Sequence, residues 1–299
     1  MTNEQQHANG IRRRVLRHIL NNGGGYMSQA CSSAEILSAL YGRILNIGPS
    51  LGSPVPAPFP GVPGPGKPTV TGVDYNGGKH PDKDRFIFSP VHYALVLYAT
   101  LIEYGRMDPE GLRLFNVDGS SVEMIGAEHS PGHEVTAGSL AQAISQGVGF
   151  AMARKLKHET GRVVVFMSDG EYEEGQTYEA LGTAAFHKLD NLLVFVDANG
   201  FQCDGIMTGV GCVEPMKARI ESFGCTADEV DGHDIEQIVA ASTHGTPGKP
   251  HVVICRTNPC QGLEKLRERW PRLHYLRFKT PEERDGYERI CQAWESGNM

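Results

Sequence analysis

Three short, almost wholly apolar runs constrain this chain most: Val163-Val164-Val165-Phe166-Met167, Leu192-Leu193-Val194-Phe195-Val196 and His251-Val252-Val253-Ile254-Cys255. Runs this short with no polar alternation read as strands buried on both faces, which is the pattern of a parallel sheet covered by helices. Helical stretches lie between them, Gln176 to Leu189 and Ile235 to Ala241. Asp84-Arg85-Phe86-Ile87-Phe88-Ser89 reads as a further buried strand, followed by a helix from about Tyr93 to Tyr104. The expected class is α/β, with a mostly parallel sheet and helices on both faces.

The flanks have a different character. Residues 1–10 are polar and are expected to form a flexible tail before one domain over residues 11–299. Ile11, Val15 and Ile19 line one face of a first helix, joined by Leu16 and Leu20. Arg12, Arg13 and Arg14 are expected on its solvated face, and Gly23-Gly24-Gly25 should end it. A second helix is expected near Ser32, which has capping-box spacing to Glu35. Residues 48–80 are rich in Pro and Gly and should form a surface insertion that drapes over a neighbouring subunit. From about residue 262 a charged carboxy-terminal extension should be irregular or helical.

Composition removes several function classes. The 299 residues are 40% hydrophobic and 21% charged, enough to bury a core and unlike a disordered or collagenous chain. A net charge of −7 gives no reason to expect nucleic acid or an anionic membrane as partner. The first residues lack the regions of a signal peptide, and the apolar runs are too short to span a bilayer. Seven irregularly spaced cysteines suggest free thiols in a reducing cytoplasm.

In open parallel sheets, ligands bind beyond the carboxyl ends of the strands. Two such ends carry unusual residues here: Ser168-Asp169-Gly170-Glu171 and Asp197-Ala198-Asn199-Gly200-Phe201. Asp169 offers a carboxylate oxygen, Asn199 an amide oxygen, and a backbone carbonyl near Phe201 a third ligand, a set that suits magnesium shared with phosphate oxygens. Gly170 would let a diphosphate approach the backbone, and the following helix amino terminus favours its charge. Either Asp or Asn alone is common in such loops.

The pair, with Glu179-Ala180-Leu181-Gly182 between, resembles the signature of thiamine-diphosphate enzymes. The wider sequence resembles the transketolase family: Asp84 to His92, Thr136-Ala137-Gly138-Ser139-Leu140-Ala141-Gln142, and Asp231-Gly232-His233-Asp234. The resemblance runs from about Ile11 to His274, outside the insertion. It implies a thiamine-diphosphate-binding fold and the cofactors thiamine diphosphate and Mg2+. It implies Asp169, Asn199 and the Phe201 carbonyl as metal ligands, and His92, Gly138, Ser139, Leu140, Gly170, Asn199 and His274 as cofactor contacts. Glu174 matches a carboxylate that communicates with the cofactor-activating glutamate of a second domain; it equally suits a helix amino terminus. His92 and His274 are also placed near the reacting centre.

The family's second, pyrimidine-binding domain is not in this sequence. The resemblance therefore implies the amino-terminal subunit of a split transketolase, a transferase of carbohydrate metabolism that moves a two-carbon glycolaldehyde unit from a ketose phosphate to an aldose. It would act with a carboxy-terminal, pyrimidine-binding subunit in a heterotetramer of two copies each. The departures cluster on the substrate side: Tyr26 replaces a substrate-contacting histidine, Pro90-Val91 before His92 departs from the usual pattern, and Met124-Ile125-Gly126 lacks another family histidine. Separately, Leu273-His274-Tyr275-Leu276 lacks the usual Trp-His-Gly around His274. His129 and His133 lie only near another expected histidine. Tyr26, with His274, is expected at the substrate, and an unusual sugar such as the branched apulose 4-phosphate is expected. The alternatives are the thiamine-dependent component of a 2-oxoacid dehydrogenase and a non-catalytic cofactor-binding subunit.

Overall fold

The apolar runs do become the centre of one parallel sheet. The computed structural model describes residues 2–297 except Pro63, Lys67 and Pro68. Met1 of the expected tail, those three residues of the insertion, and Asn298 and Met299 of the extension lie outside the described residues.

In chain order the first half contains α1 (Asn3–Asn22), β1 (Gly24–Gly25), α2 (Met27–Ala39), β2 (Arg85–Phe88), α3 (Ala94–Glu103), α4 (Gln142–Leu156) and β3 (Val163–Ser168). Then come α5 (Gly175–Phe186), β4 (Leu192–Ala198), β5 (Phe201–Gln202), β6 (Gly205–Ile206), α6 (Met207–Val210) and α7 (Met216–Ser222). β7 (Thr226–Asp231), α8 (Ile235–Ala241), β8 (His251–Arg256), β9 (Leu276–Arg277) and α9 (Pro281–Glu295) complete the chain. The main sheet has the order β2-β3-β4-β8-β7, all parallel.

Alternate strand residues face opposite layers, as the pleat requires. Phe86, Phe88, Val164, Phe166, Phe195 and Val253 pack with α1, α2 and α3 on one side. Ile87, Val163, Val165, Met167, Val194 and Ile254 pack with α4 and α5 on the other. Each fully buried side chain of this kind contributes roughly 1.5–3 kcal/mol of burial. The register pairs Ser168 with Asp197, so β3 and β4 end side by side and deliver Asp169 and Asn199 to the same edge.

Several boundaries differ from the sequence expectations. The first helix starts at Asn3, not Ile11: Thr2 caps it by accepting from Gln5 N, so most of the expected flexible tail is helix. α2 starts at Met27 rather than near Ser32, and Ser32 is a buried interior residue that donates to Asp197 Oδ2 at 2.5 Å. Arg12 is not on a solvated face. It is buried, with Nη1 donating to Glu35 Oε1 at 2.7 Å, Nη2 to Cys31 O at 2.8 Å, and a further bond to Glu35 Oε2. Arg14 reaches Glu103, and Arg17 reaches Glu288 and Glu295 on α9. Polar contacts to neighbouring elements, invisible in local periodicity, decide these positions.

Among its described residues the insertion is irregular apart from a 3-10 turn at Gly72–Asn76, as its Pro and Gly content predicts. It is fastened to its own chain: Phe59 N donates to Gly119 O, Asp108 N to Pro54 O, and Tyr75 OH to Ser53 O, each at 2.7–2.8 Å. All seven cysteines are free thiols. Among the described residues, no helix is long and apolar enough to cross a membrane.

Candidate functional site

The parallel register places two acidic loops in contact. Asp169, at the end of β3, accepts from Gly170 N at 2.9 Å through Oδ1 and from Gly200 N at 2.6 Å through Oδ2. Asn199 Oδ1 accepts from Phe201 N at 2.9 Å, which curls the loop after β4 into an Asx turn. Its Nδ2 donates to Asp197 Oδ2 and to the Tyr93 hydroxyl, both at 3.2 Å. Asp197 is fully buried and also accepts from Ser32, Thr257 and Tyr93. Asp169, Gly170, Asn199 and Phe201 are thus brought together as the sequence implied.

Burial, and then the nearby Asp197 carboxylate, push Asp169 up to about 8; burial also raises Asp197. Two buried acids whose bonding partners are neutral form a site that a divalent cation would stabilise, and the Asp, Asn and carbonyl oxygens are hard donors suited to one. No group of three His, Cys, Asp or Glu able to hold a metal occurs among the described residues, so such an ion would depend on the amide and carbonyl oxygens. A Cβ built on Gly170 meets nothing within 4 Å, which leaves the backbone there open to a ligand. The chain after Gly170 is a 3-10 turn, Asp169–Glu173, and the α-helix begins at Gly175, one residue before the expected Gln176. That turn is internally capped: Glu171 accepts from Ser168 N at 2.7 Å and Ser168 Oγ at 3.1 Å. Glu171 also accepts from Ser89 Oγ and Ala141 N, and burial lifts it to about 7.

Beside this edge lies a pocket of about 160 Å³ lined by His92, Tyr93, Leu140, Ser168, Asp169, Gly170, Phe201, Gln202, Cys203 and His274. His274 arrives from a distant part of the sequence because β1 pairs with β9, Gly24 with Arg277 and Gly25 with Leu276. The Tyr26 ring meets His92 at 5.6 Å, His274 at 5.4 Å and Tyr275 at 5.0 Å between centroids, all edge to face. His92 and His274 are themselves 5.4 Å apart. Burial, aided by His274, pushes His92 down to about 3, and burial lowers His274 too, so both rings are neutral at pH 7. Gln29 Nε2 donates to His274 O at 3.1 Å and faces Nδ1 at 3.2 Å. An amide NH2 only donates, so Nδ1 accepts and the proton sits on Nε2.

The remaining expected residues lie around this pocket or apart from it. Leu140 is in the pocket wall, with the exposed Gly138 and Ser139 preceding it. Glu174 is exposed, lines no part of the pocket, and its carboxylate bonds nothing among the described residues. His129 pairs with Glu123, and His133 is buried against Phe88 and Tyr98, so neither reaches the pocket. His233 serves elsewhere: Nδ1 donates to Glu35 at 3.0 Å while Nε2 accepts from Asn258 N at 2.8 Å.

Sequence reasoning missed Asp197, Tyr93 and Gln29 as supports of the site. Asp197 stands two residues before Asn199 at a strand end, which was signal enough; Gln29 had none. Tyr93 follows His92 directly, but its role depends on a bond to Asp197 across the sheet.

A parallel sheet covered by helices, with carboxylate and amide oxygens gathered at its carboxyl edge, defines an α/β fold of the kind that binds ligands there. Residues 70–266 match the family model described as transketolase, thiamine diphosphate binding domain. An uncharacterized transketolase family protein of Sinorhizobium fredii is 34% identical over 282 residues, spanning 93% of this chain and 91% of that protein. One of the apulose-4-phosphate transketolase subunits of Actinobacillus succinogenes is 31% identical, spanning 91% and 90%. The 6-deoxy-6-sulfo-D-fructose transketolase subunit SqwG of a Clostridium species is 30% identical, spanning 85% and 84%. The crystal structure of Campylobacter jejuni transketolase superposes with a TM-score of 0.70 at 25% identity; the match covers 86% of this chain and 38% of that one. The chain belongs to the transketolase family and carries its thiamine diphosphate binding domain. A 2-oxoacid dehydrogenase component is not favoured by these relatives.

Proposed function

We propose that this chain is the diphosphate-binding subunit of a two-subunit transketolase and holds thiamine diphosphate through Mg2+. Asp169, Asn199 and the Phe201 carbonyl would be the metal ligands. The observation that carries the reading is the contact between Asp169 and the Asn199–Phe201 turn, beside a pocket walled by His92 and His274, against which Tyr26 packs. When bound, the cofactor supplies the electron sink for two-carbon transfer between sugars.

The chain's own residues would do the following. Gly170, with Leu140, Ser139 and Gly138 on the rim, leaves backbone free to accept the diphosphate. His274 presents an Nε2–H to the pocket, and neutral His92 stands beside it, so both can donate to or accept from sugar hydroxyls. Tyr26 offers a phenol there in place of an imidazole, which suits hydrogen bonding but not proton shuttling at neutral pH. Glu174, with no partner among the described residues, is available to a carboxylate of the pyrimidine-binding chain.

Its similarity to proteins named as transketolase subunits supports a separate partner chain; the proposed assembly is a heterotetramer of two copies each, in the cytoplasm. Two of those relatives are named for unusual ketoses, apulose 4-phosphate and a sulfosugar, which supports a donor outside the common straight-chain set. The test is reconstitution with a candidate pyrimidine-binding chain, followed by assay of glycolaldehyde transfer with and without Mg2+. Transfer that appears only with both chains, thiamine diphosphate and Mg2+ is the expected result. A stable complex inactive on every ketose–aldose pair would overturn it.

A further inference from the structure

Tyr26 and Tyr275 mark two departures from the family's pattern, and the fold sets their rings edge to face at 5.0 Å. Tyr275 has a built seat. A Cβ on Gly24 would lie 3.0 Å from Tyr275 Cε1 and 3.1 Å from Leu276 O, so the glycine is what lets this ring close against β1. Neither phenol hydroxyl bonds another group among the described residues. Residues two apart on an extended strand project to the same side. Accordingly the Arg277 guanidinium carbon stands 5.7 Å from the Tyr275 ring centroid. Arg277 is exposed and makes no ion pair among the described residues. The stretch 270–279 contains Arg272, Arg277 and Lys279 and no acid, in a chain whose net charge is −7.

This is an ordered set of chemistries leading away from the histidines. Ring edges and faces pack on sugar C–H groups, two unbonded phenols can bond hydroxyls, and a free guanidinium lies beyond them. We propose that Tyr26, Tyr275 and Arg277 form a specificity wall for the far end of the sugar, with Arg277 binding a terminal tetrahedral oxyanion, phosphate or sulfonate. The inference rests on the transketolase reading and deepens it: recognition of the substrate's charge lies partly in this chain rather than wholly in its partner.

Three donors with one carbon skeleton test it: D-fructose, D-fructose 6-phosphate and 6-deoxy-6-sulfo-D-fructose. In the reconstituted complex, Arg277→Gln should raise KM about tenfold for one or both charged donors, with kcat and the uncharged sugar unaffected. Which charged donor responds tells phosphate from sulfonate. Tyr275→Leu should raise KM for all three, while Tyr275→Phe should retain most of the ring's contribution. An equal effect of Arg277→Gln on charged and uncharged donors, or none, would overturn the proposal.

A second readout needs no turnover. In the reconstituted complex without thiamine diphosphate, with this chain labelled with fluorotyrosine, D-fructose 6-phosphate and the 6-sulfonate should shift the Tyr275 resonance, at a dissociation constant about tenfold weaker in Arg277→Gln. Absence of any shift with both charged sugars would overturn the wall. A wild-type complex that shows the shift but no two-carbon transfer would instead overturn the transketolase reading and leave the wall standing.

Discussion

The backbone N–H of Gly200 donates to Asp169 Oδ2 at 2.6 Å, so the loop after β4 is fastened to the carboxylate that follows β3. The same carboxylate bonds Gly170 through its other oxygen. Asp169→Ala therefore removes one proposed metal ligand and frees the loop that carries the other two. We expect Mg2+-dependent binding of thiamine diphosphate to weaken about hundredfold or more. The apo chain should still fold, losing about 1–3 kcal/mol from the two unpaired N–H groups. Calorimetric titration with and without Mg2+ checks this; undiminished Mg2+-dependent binding would remove the assignment.

Gly170 separates binding from stability. No heavy atom lies within 4 Å of a Cβ placed there, and its φ is not left-handed. Gly170→Val should leave the melting temperature of the apo chain nearly unchanged, within about 0.5 kcal/mol. It should nonetheless fill the space needed by a diphosphate and weaken cofactor binding at least about tenfold. A variant that binds normally would show that the diphosphate lies elsewhere.

The Arg12–Glu35 pair controls acid stability. Burial alone would raise Glu35, but the hydrogen bond from His233 and the Arg12 charge hold it down at about 2. A depressed carboxyl contributes stability that is present above its unfolded value near 4.5 and lost as pH falls toward 2. Compared with a variant carrying both Arg12→Met and Glu35→Leu, the wild type should lose about 3 kcal/mol of stability between pH 5 and pH 2. Arg12→Ala alone should cost about 3–5 kcal/mol at pH 7, because it strands a buried carboxylate. Denaturant melts across pH measure both, and pH-independent differences would contradict the pairing.

Glu174 offers the opposite test, since no described residue depends on its carboxylate. Glu174→Gln should leave melting temperature and cofactor binding by the isolated chain unchanged. In the reconstituted complex it should lower kcat about tenfold to a hundredfold, as expected for a group acting on catalysis through the partner. Full activity of that complex would leave Glu174 with only its place beside a helix amino terminus.

The strands and the meeting of Asp169 with Asn199 were readable because their determinants are local. Val163 to Met167 and Leu192 to Val196 are apolar throughout, and Asp169 and Asn199 follow them closely. β7 was not readable: Thr226–Asp231 is an edge strand carrying Asp228, Glu229 and Asp231, so its pattern looks like a loop. Arg12 looked solvated because its partner Glu35 sits on another helix. The aromatic wall was legible only as separate oddities at Tyr26 and Tyr275. Their meeting needs β1 to pair with β9, a contact between nearly opposite ends of the chain that no local pattern encodes.

Helix α2 holds the site from behind through three side chains spaced three residues apart. Gln29 fixes His274, Ser32 bonds Asp197, and Glu35 anchors Arg12 and His233. A helix turns about 100° per residue. Adding or deleting one residue between Ser32 and Glu35 would swing Gln29 and Ser32 away while Glu35 stayed paired, releasing the imidazole and the buried acid in a single event. The segment is a ruler: its length cannot change, and drift in loop length has to be absorbed elsewhere, as in the Pro- and Gly-rich stretch that follows it.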